Sequence, residues 1–293
     1  MENSSITNIL GPLVLSFCLQ CFFAGMAVIQ ATCYYARKAR LTHRDTADIF
    51  NGGIVGAVLL LIVFGMATAI HTIHQTVTLH FGDVAYGGQG TWATWVEPAI
   101  TATVGAIAHV FFIHRCWLAT NKSRTICGLL VLLLLVSLGS GIAVSVFVFH
   151  AKSIGRISTI PVPMGLWLSA SAVTDIAIAI SLIVEHLKNT RNSGLMRKII
   201  ELTLQTGAVP AVVAVLNFVI YFAMRSTTYH LLAELSLPSI YALSVLAALL
   251  NHETAGPRRS SVALGATMTD RVEKKVEIKV ERNVLVWPNL HSV

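Results

Sequence analysis

Residues Leu166–Leu187 read LWLSASAVTDIAIAISLIVEHL. The run is apolar almost throughout, yet Asp175 sits near its middle. A helix that crosses the hydrocarbon core of a bilayer needs about 20 mostly apolar residues, and this stretch supplies them. It reads as a membrane span that carries a carboxylate at its centre.

The rest of the chain repeats the pattern. Of 293 residues, 55% are hydrophobic and only 12% charged, and the mean hydropathy is +0.70. Soluble domains carry about 25% charged residues, so most of this chain is not in water. Seven apolar runs are long enough to span: approximately Leu10–Tyr34, Ile49–His71, Glu97–Trp117, Ile126–Phe149, Met164–Leu187, Ile199–Met224 and Leu231–Asn251. Polar or glycine-bearing breakers separate them, among them RKARLTHRD after the first and HFGDVAYGGQGTW after the second. The expected fold class is all-α, a seven-transmembrane-helix bundle. The expected organisation is a short extracellular N-terminus (1–9), a membrane domain (10–251) and a mostly disordered cytosolic tail (252–293).

Orientation follows from Lys and Arg, which collect in cytoplasmic loops. On one side fall Arg37, Lys38, Arg40, Arg44, Arg115, Lys122, Arg124, Lys188, Arg191, Arg197, Lys198 and the tail; on the other only Lys152, Arg156 and Arg225. This places the N-terminus outside and the C-terminus in the cytosol. It also accounts for the net charge of +7 without a nucleic-acid partner, since the basic residues fall at the ends of apolar runs. No basic segment precedes the first run, which therefore reads as a retained helix rather than a cleaved leader. Cys18 and Cys21 lie inside that run and read as buried small hydrophobes rather than a redox pair. No cysteine falls in an outer segment, so no external disulfide is expected. Asn3-Ser4-Ser5 is a glycosylation sequon on the outer side.

The tail changes composition. Its Arg258-Arg259-Ser260-Ser261-Val262 fits basophilic kinases and makes Ser261 a candidate phosphorylation site beside a basic juxtamembrane patch.

An intramembrane carboxylate is expensive and faces the bundle or a cavity. On a helix, Asp175 neighbours Ser171, Ala172 and Ala179, a small face that admits a close partner. By position along the spans, His109 and Asn217 are its candidate partners. Asp175, His109 and Asn217 thus form a candidate polar core, either an interhelical hydrogen bond or a ligand, ion or proton site. A second constellation lies toward the outer side: His71, His74, His80, His150 and His230. Vestibule side chains are the favoured reading there. Zinc ligation and pH sensing are the alternatives, and zinc is the one cofactor in view; none is otherwise expected. Gln20 and Gln30 are expected to bond across helices. Glu97 beside Pro98 reads as an acidic helix start, and Tyr86, Trp92, Trp95 and Trp167 as interfacial aromatics.

G-protein-coupled receptors have seven helices in this orientation, but the details differ. Arg115 in FFIHRCW lacks an acidic predecessor, and Pro238-Ser239-Ile240-Tyr241 is preceded by Leu237 instead of Asn; microbial rhodopsins are excluded because Leu231–Asn251 holds no lysine for retinal. Five stretches carry another likeness: GPLVLSFCLQCFFAGMAVIQATCYY, FFIHRCWLATNKS, WLSASAVTDIAIAISL, KIIELTLQTGAVPAVVAVLNFVIYF and TTYHLLAELSLPSIYALSVLAALLN. In their order and spacing the chain resembles a fungal seven-helix membrane family of mushroom-forming species, catalogued as a domain of unknown function. The resemblance carries over Asp175, Thr206-Gly207, Tyr229-His230, Tyr241 and Asn251. The chain departs from it at His252-Glu253 and in NTRNSG. It implies a fold and a membrane location and no reaction.

The expectation is a receptor-like sensor, more readily than an enzyme, in the plasma membrane. Its expected partners are the lipid bilayer, a small-molecule ligand and a cytosolic protein at the basic inner loops and tail. The alternatives are a carrier or channel using Asp175 with His109, and a metal-dependent hydrolase using the outer histidines.

Overall fold

The computed structural model describes residues 2–39, 46–80, 91–119, 124–151, 161–188, 194–223 and 229–255. All are helical apart from a few residues at helix ends. The helices are α1 (Glu2–Ala39), α2 (Thr46–Ile73), α3 (Trp92–Ala119), α4 (Arg124–Ala151), α5 (Pro161–Lys188), α6 (Gly194–Ala223) and α7 (His230–Ala255). A π-helical turn, His74–Leu79, prolongs α2. The chain divides into a unit of Met1–Leu249, which holds the bundle, and a unit of Leu250–Val293. Ser261, Asp83, Tyr86 and the tail beyond residue 255 lie outside the described residues.

Among the described residues, six helices are long and apolar enough to cross a membrane. In α6 the stretch Gly207–Ala223 is apolar, about 25 Å by helix rise. The chain is a helical integral membrane protein.

On α1 the inward face is marked by small and polar residues, whereas on α2 and α4 Val, Ile and Leu stand on both faces. Along α1 the buried positions are Ser16, Gln20, Ala24, Ala27, Ala31 and Tyr34, while Leu15, Phe22 and Ile29 are exposed. Along α2, Val55, Val58, Ile62, Gly65 and Ala69 are buried. Along α4 they are Leu130, Leu134, Ser137, Gly141, Val144 and Val148. Spacings of alternating three and four residues give a period near 3.5, the seam of helices packed at shallow angles. Small residues on that seam let backbones approach, since in lipid no hydrophobic difference drives helices together. Gly141 shows how closely: a Cβ there would lie 2.5 Å from the Ala102 Cβ and 2.9 Å from Trp167 Nε1. Other bulky residues face outward, as Leu60, Leu132, Leu135 and Val162 do, which is the expected arrangement where lipid is the solvent.

Two sequence expectations are corrected here. Trp167 is not interfacial: it is buried with Ala102, Val144, Val148, Met164, Leu168 and Tyr221, in the slot that Gly141 leaves. Cys18 is exposed and Cys21 half-buried, so Cys18 points away from the helix seam rather than into the core.

Candidate functional site

Hydroxyl groups in lipid normally bond back to their own helix, because no water is at hand. Most here do. Thr103 donates to the Ala99 carbonyl at 2.7 Å, Thr174 to Ala170 at 2.7 Å and Ser244 to Ile240 at 2.9 Å. Against that background the side chains that reach another helix stand out, and those around acidic residues form two groups.

The first group is built around Asp175 on α5, which is 5% exposed. Its Oδ1 is hydrogen-bonded to His109 Nε2 of α3 at 2.9 Å. Its Oδ2 accepts from the Tyr241 hydroxyl of α7 at 2.5 Å. The Tyr241 oxygen also lies 3.3 Å from Ser171 Oγ, one turn before Asp175. The His109 and Tyr241 rings meet edge to face, with centroids 5.4 Å apart. Tyr241 lies against Gly105, where a Cβ would sit 3.6 Å from its ring. Both carboxylate oxygens are thus engaged, and the network ties α3, α5 and α7 at three buried side chains. Of the two expected partners of Asp175 the structure brings in His109. Asn217 does not bond to it; the second partner is Tyr241. Tyr241 carries no charge, so periodicity and position alone give no signal for it.

The second group lies beside the first. Glu97 on α3 accepts from Thr68 Oγ1 of α2 through Oε2 at 2.6 Å, and its Oε1 is buried without a partner. Glu97 is therefore not an acidic helix start. Helix α3 begins at Trp92, which places Glu97 past the first turn and against α2. Gln20 of α1 closes on the same place: a Cβ on Gly65 would meet Gln20 Nε2 at 3.7 Å and Glu97 Oε1 at 3.8 Å. The Oε1 atoms of Gln20 and Gln30 have no hydrogen-bond partner, so neither makes the expected bond across helices through that oxygen. Glu234 on α7 is 5% exposed and Asn217 on α6 is 1% exposed. Glu234 is within Coulomb range of Glu97, and Asn217 approaches it. Yet Glu234 Oε2 and both amide atoms of Asn217 complete no hydrogen bond.

A cavity of about 20 Å³ joins the two groups, room for one water molecule. Thr101, Gly105 and His109 of α3, Ser137 of α4, Trp167 and Ser171 of α5, Asn217 of α6, and Glu234 and Tyr241 of α7 line it. The rule that singles out Asp175 applies equally to Glu234, an acid inside an apolar run. It is the less visible because it stands close to the run's end, where a charged side chain often reaches the interface.

Near the C-terminal end of α3, Arg115 donates from Nη2 to the Ala248 carbonyl of α7 at 3.0 Å. Its guanidinium lies 4.6 Å from the Phe111 ring centroid. A second clamp between α3 and α7 is thereby set below the Asp175 network.

The outer histidines are engaged separately. His71 stacks near Trp92 with centroids 5.2 Å apart, and His74 is exposed at the first residue of the π turn. His80 Nδ1 lies 3.2 Å from the Gln75 carbonyl, His150 Nδ1 lies 2.8 Å from the Val146 carbonyl, and His230 packs on Tyr221. Among the described residues no three His, Cys, Asp or Glu side chains come together as a metal-binding group.

No curated protein and no solved structure matches the chain. Residues 171–254 match a family of unknown function (DUF6534). The matched region contains Ser171, Asp175, Asn217, Glu234 and Tyr241, and leaves His109, Thr101 and Glu97 to the part of the chain before it. The protein is an integral membrane protein of unknown function, similar over that region to this family.

Proposed function

We propose that the protein is a receptor-like sensor of the plasma membrane, with seven spans, an outer N-terminus and a cytosolic C-terminus. The observation that carries the reading is the His109–Asp175–Tyr241 network. It joins three helices through groups that exchange protons and hydrogen bonds, next to a cavity whose polar groups are only partly satisfied. A ligand or ion that enters this cavity competes for the same hydrogen bonds. It thereby biases how α3, α5 and α7 pack, the kind of two-state element through which receptors report occupancy. The Arg115 contact to Ala248 gives α3 and α7 a second joint nearer the basic inner loops, where a cytosolic partner would bind. The skew of Lys and Arg supports the orientation, and the resemblance to a fungal seven-helix family supports the seventh crossing by α6.

A carrier is favoured less by the same geometry. Carriers tend to bind substrate at interrupted helices near the midplane, whereas α3, α5 and α7 run unbroken past Asp175.

The test uses the purified protein in lipid nanodiscs. A small-molecule library is screened for compounds that raise its unfolding temperature, and each hit is then tested for transport in proteoliposomes. A sensor gives a hit that stabilises the wild type, loses most of that effect in Asp175→Asn, and is not transported. Transport of the hit would overturn the sensor reading in favour of the carrier. An N-terminal tag accessible only from the cytosol would overturn the orientation.

A further inference from the structure

We infer that the cavity between α3, α6 and α7 is a binding site for a small monovalent metal cation, held by the Glu234 carboxylate, the Asn217 side-chain carbonyl and the Thr101 hydroxyl. The inference does not depend on the sensor reading, since a cation site serves a sensor or a carrier alike.

The Asp175 network and this site differ in satisfaction. Asp175 has a partner at each oxygen, so it needs nothing more. Glu234 Oε2, Asn217 Oδ1 and Thr101 Oγ1 are buried, belong to residues that line one cavity, and have no hydrogen-bond partner. Thr101 is conspicuous among the intramembrane hydroxyls, since its Oγ1 does not bond back to its own helix. Three such atoms on three helices are too costly to arise without compensation. Asn217 is the decisive one: at 1% exposure an amide with neither atom bonded is an incomplete site rather than a packed side chain.

The chemistry selects the occupant. Carboxylate, amide carbonyl and hydroxyl oxygens are hard donors suited to alkali and alkaline-earth ions. Pro238 has no N–H, so the Glu234 carbonyl four residues before it loses its helical donor, and the same residue presents a second oxygen. No Lys or Arg lines the cavity. His109 lines it too, but its Nε2 is held by Asp175. A cavity of about 20 Å³ has room for one water or one bare small ion and excludes an organic amine. A divalent ion takes about six to eight oxygens, with several carboxylates. Here a single carboxylate lines the cavity, which suits one positive charge.

The experiment measures the unfolding temperature of the full chain in nanodiscs at constant ionic strength. Na⁺, K⁺ or N-methyl-D-glucamine chloride supplies the salt, and binding of radioactive Na⁺ is measured in parallel. A site of this kind gives a saturable rise of about 3–6 °C with Na⁺ or K⁺ over N-methyl-D-glucamine, and saturable ion binding. Glu234→Gln abolishes both. Thr101→Val, which keeps the shape, weakens the ion's apparent affinity about fivefold or more and remains informative if Glu234→Gln fails to fold. Equal stability in all three salts overturns the proposal and leaves the cavity to water. So does a rise produced only by Ca²⁺ or Mg²⁺, or an alkali-ion effect unchanged in Thr101→Val.

Discussion

Replacing Asp175 by Ala tests whether its network holds the bundle together, and the structure sets the size of the effect. Two hydrogen bonds end on the carboxylate, one from Tyr241 and one shared with His109. In membrane interiors a side-chain hydrogen bond contributes about 0.6 kcal/mol on average and about 1.7 at most, so the two bonds alone account for about 1–3 kcal/mol. The loss is larger than that sum because the partners stay behind. His109 is 2% exposed and Tyr241 1%, so neither Nε2 nor the phenol hydroxyl can turn to solvent. An unsatisfied buried polar group costs about 1–3 kcal/mol. Ser171 Oγ, 3.3 Å from the phenol oxygen, relieves part of that at Tyr241. The expected destabilisation of Asp175→Ala is therefore about 2–5 kcal/mol.

The same reasoning predicts non-additivity. Tyr241→Phe removes one donor and leaves Asp175 the His109 bond, at about 1–2 kcal/mol. In Asp175→Ala/Tyr241→Phe the stranded hydroxyl is gone, so the double variant should be more stable than the sum of the singles by about 1 kcal/mol. Denaturant titration in mixed micelles, followed by tryptophan fluorescence, measures all four corners of the cycle. A loss below about 1 kcal/mol in Asp175→Ala, with additivity within about 0.5 kcal/mol, would refute a structural role for the network.

The remaining predictions concern single contacts. Gly141→Ala puts a methyl against Ala102 and Trp167 and should cost about 1–3 kcal/mol by overpacking. Gly139→Ala meets nothing within 4 Å and should leave the unfolding midpoint unchanged or raise it, a contrast that thermal melts of the two variants check. Arg115→Lys loses the Nη2 hydrogen bond to the Ala248 carbonyl and the guanidinium contact with the Phe111 ring, and should lower stability by about 1 kcal/mol. A melt equal to wild type would show that charge alone suffices there. Thr68→Val takes the donor from Glu97 Oε2 and should cost about 1–3 kcal/mol, whereas Thr68→Ser should melt near the wild type.

The membrane spans are legible in the sequence because the bilayer imposes one condition, apolarity over a fixed length. The rotation of each span is harder to read because lipid and core are equally apolar. On α1 the inward face is Ser16, Gln20, Ala24, Ala27 and Ala31 and the outward face includes Leu15, Phe22 and Ile29. On α1 the sign is inverted from a soluble helix, whereas on α2 and α4 aliphatic residues such as Ile62 and Leu130 are buried as well, so no one property marks the inward face. Asp175 and His109 can be paired in advance because few polar groups stand at mid-membrane, and a carboxylate there must find one of them. Trp167 and Glu97 mislead for a shared reason. Each stands near the start of an apolar run, where aromatic and acidic side chains usually mark the interface, and in each case a residue on another helix draws it inward. For Trp167 that residue is Gly141, and for Glu97 it is Thr68.

The sequence shows which polar side chains enter the membrane; only the structure shows which of them are satisfied. Asp175, the most conspicuous acid in the sequence, has a partner at each oxygen. A complete network of this kind specifies a packing, because a slip of α5 against α3 breaks the His109 bond and a slip against α7 breaks the Tyr241 bond. Glu234 Oε2 and the Asn217 amide, which lie near each other on α7 and α6, complete no hydrogen bond of good geometry. Helix contacts do not repay burying an acid and an amide with open atoms in one small cavity, so something that enters the cavity must do so. The oxygen donors there and the lack of any Lys or Arg on the cavity wall suit a cation. On this reasoning Asp175→Asn and Glu234→Gln, both single-atom changes, should differ in kind. The first lowers the stability of the protein in every salt, while the second removes the dependence of stability on which salt is present.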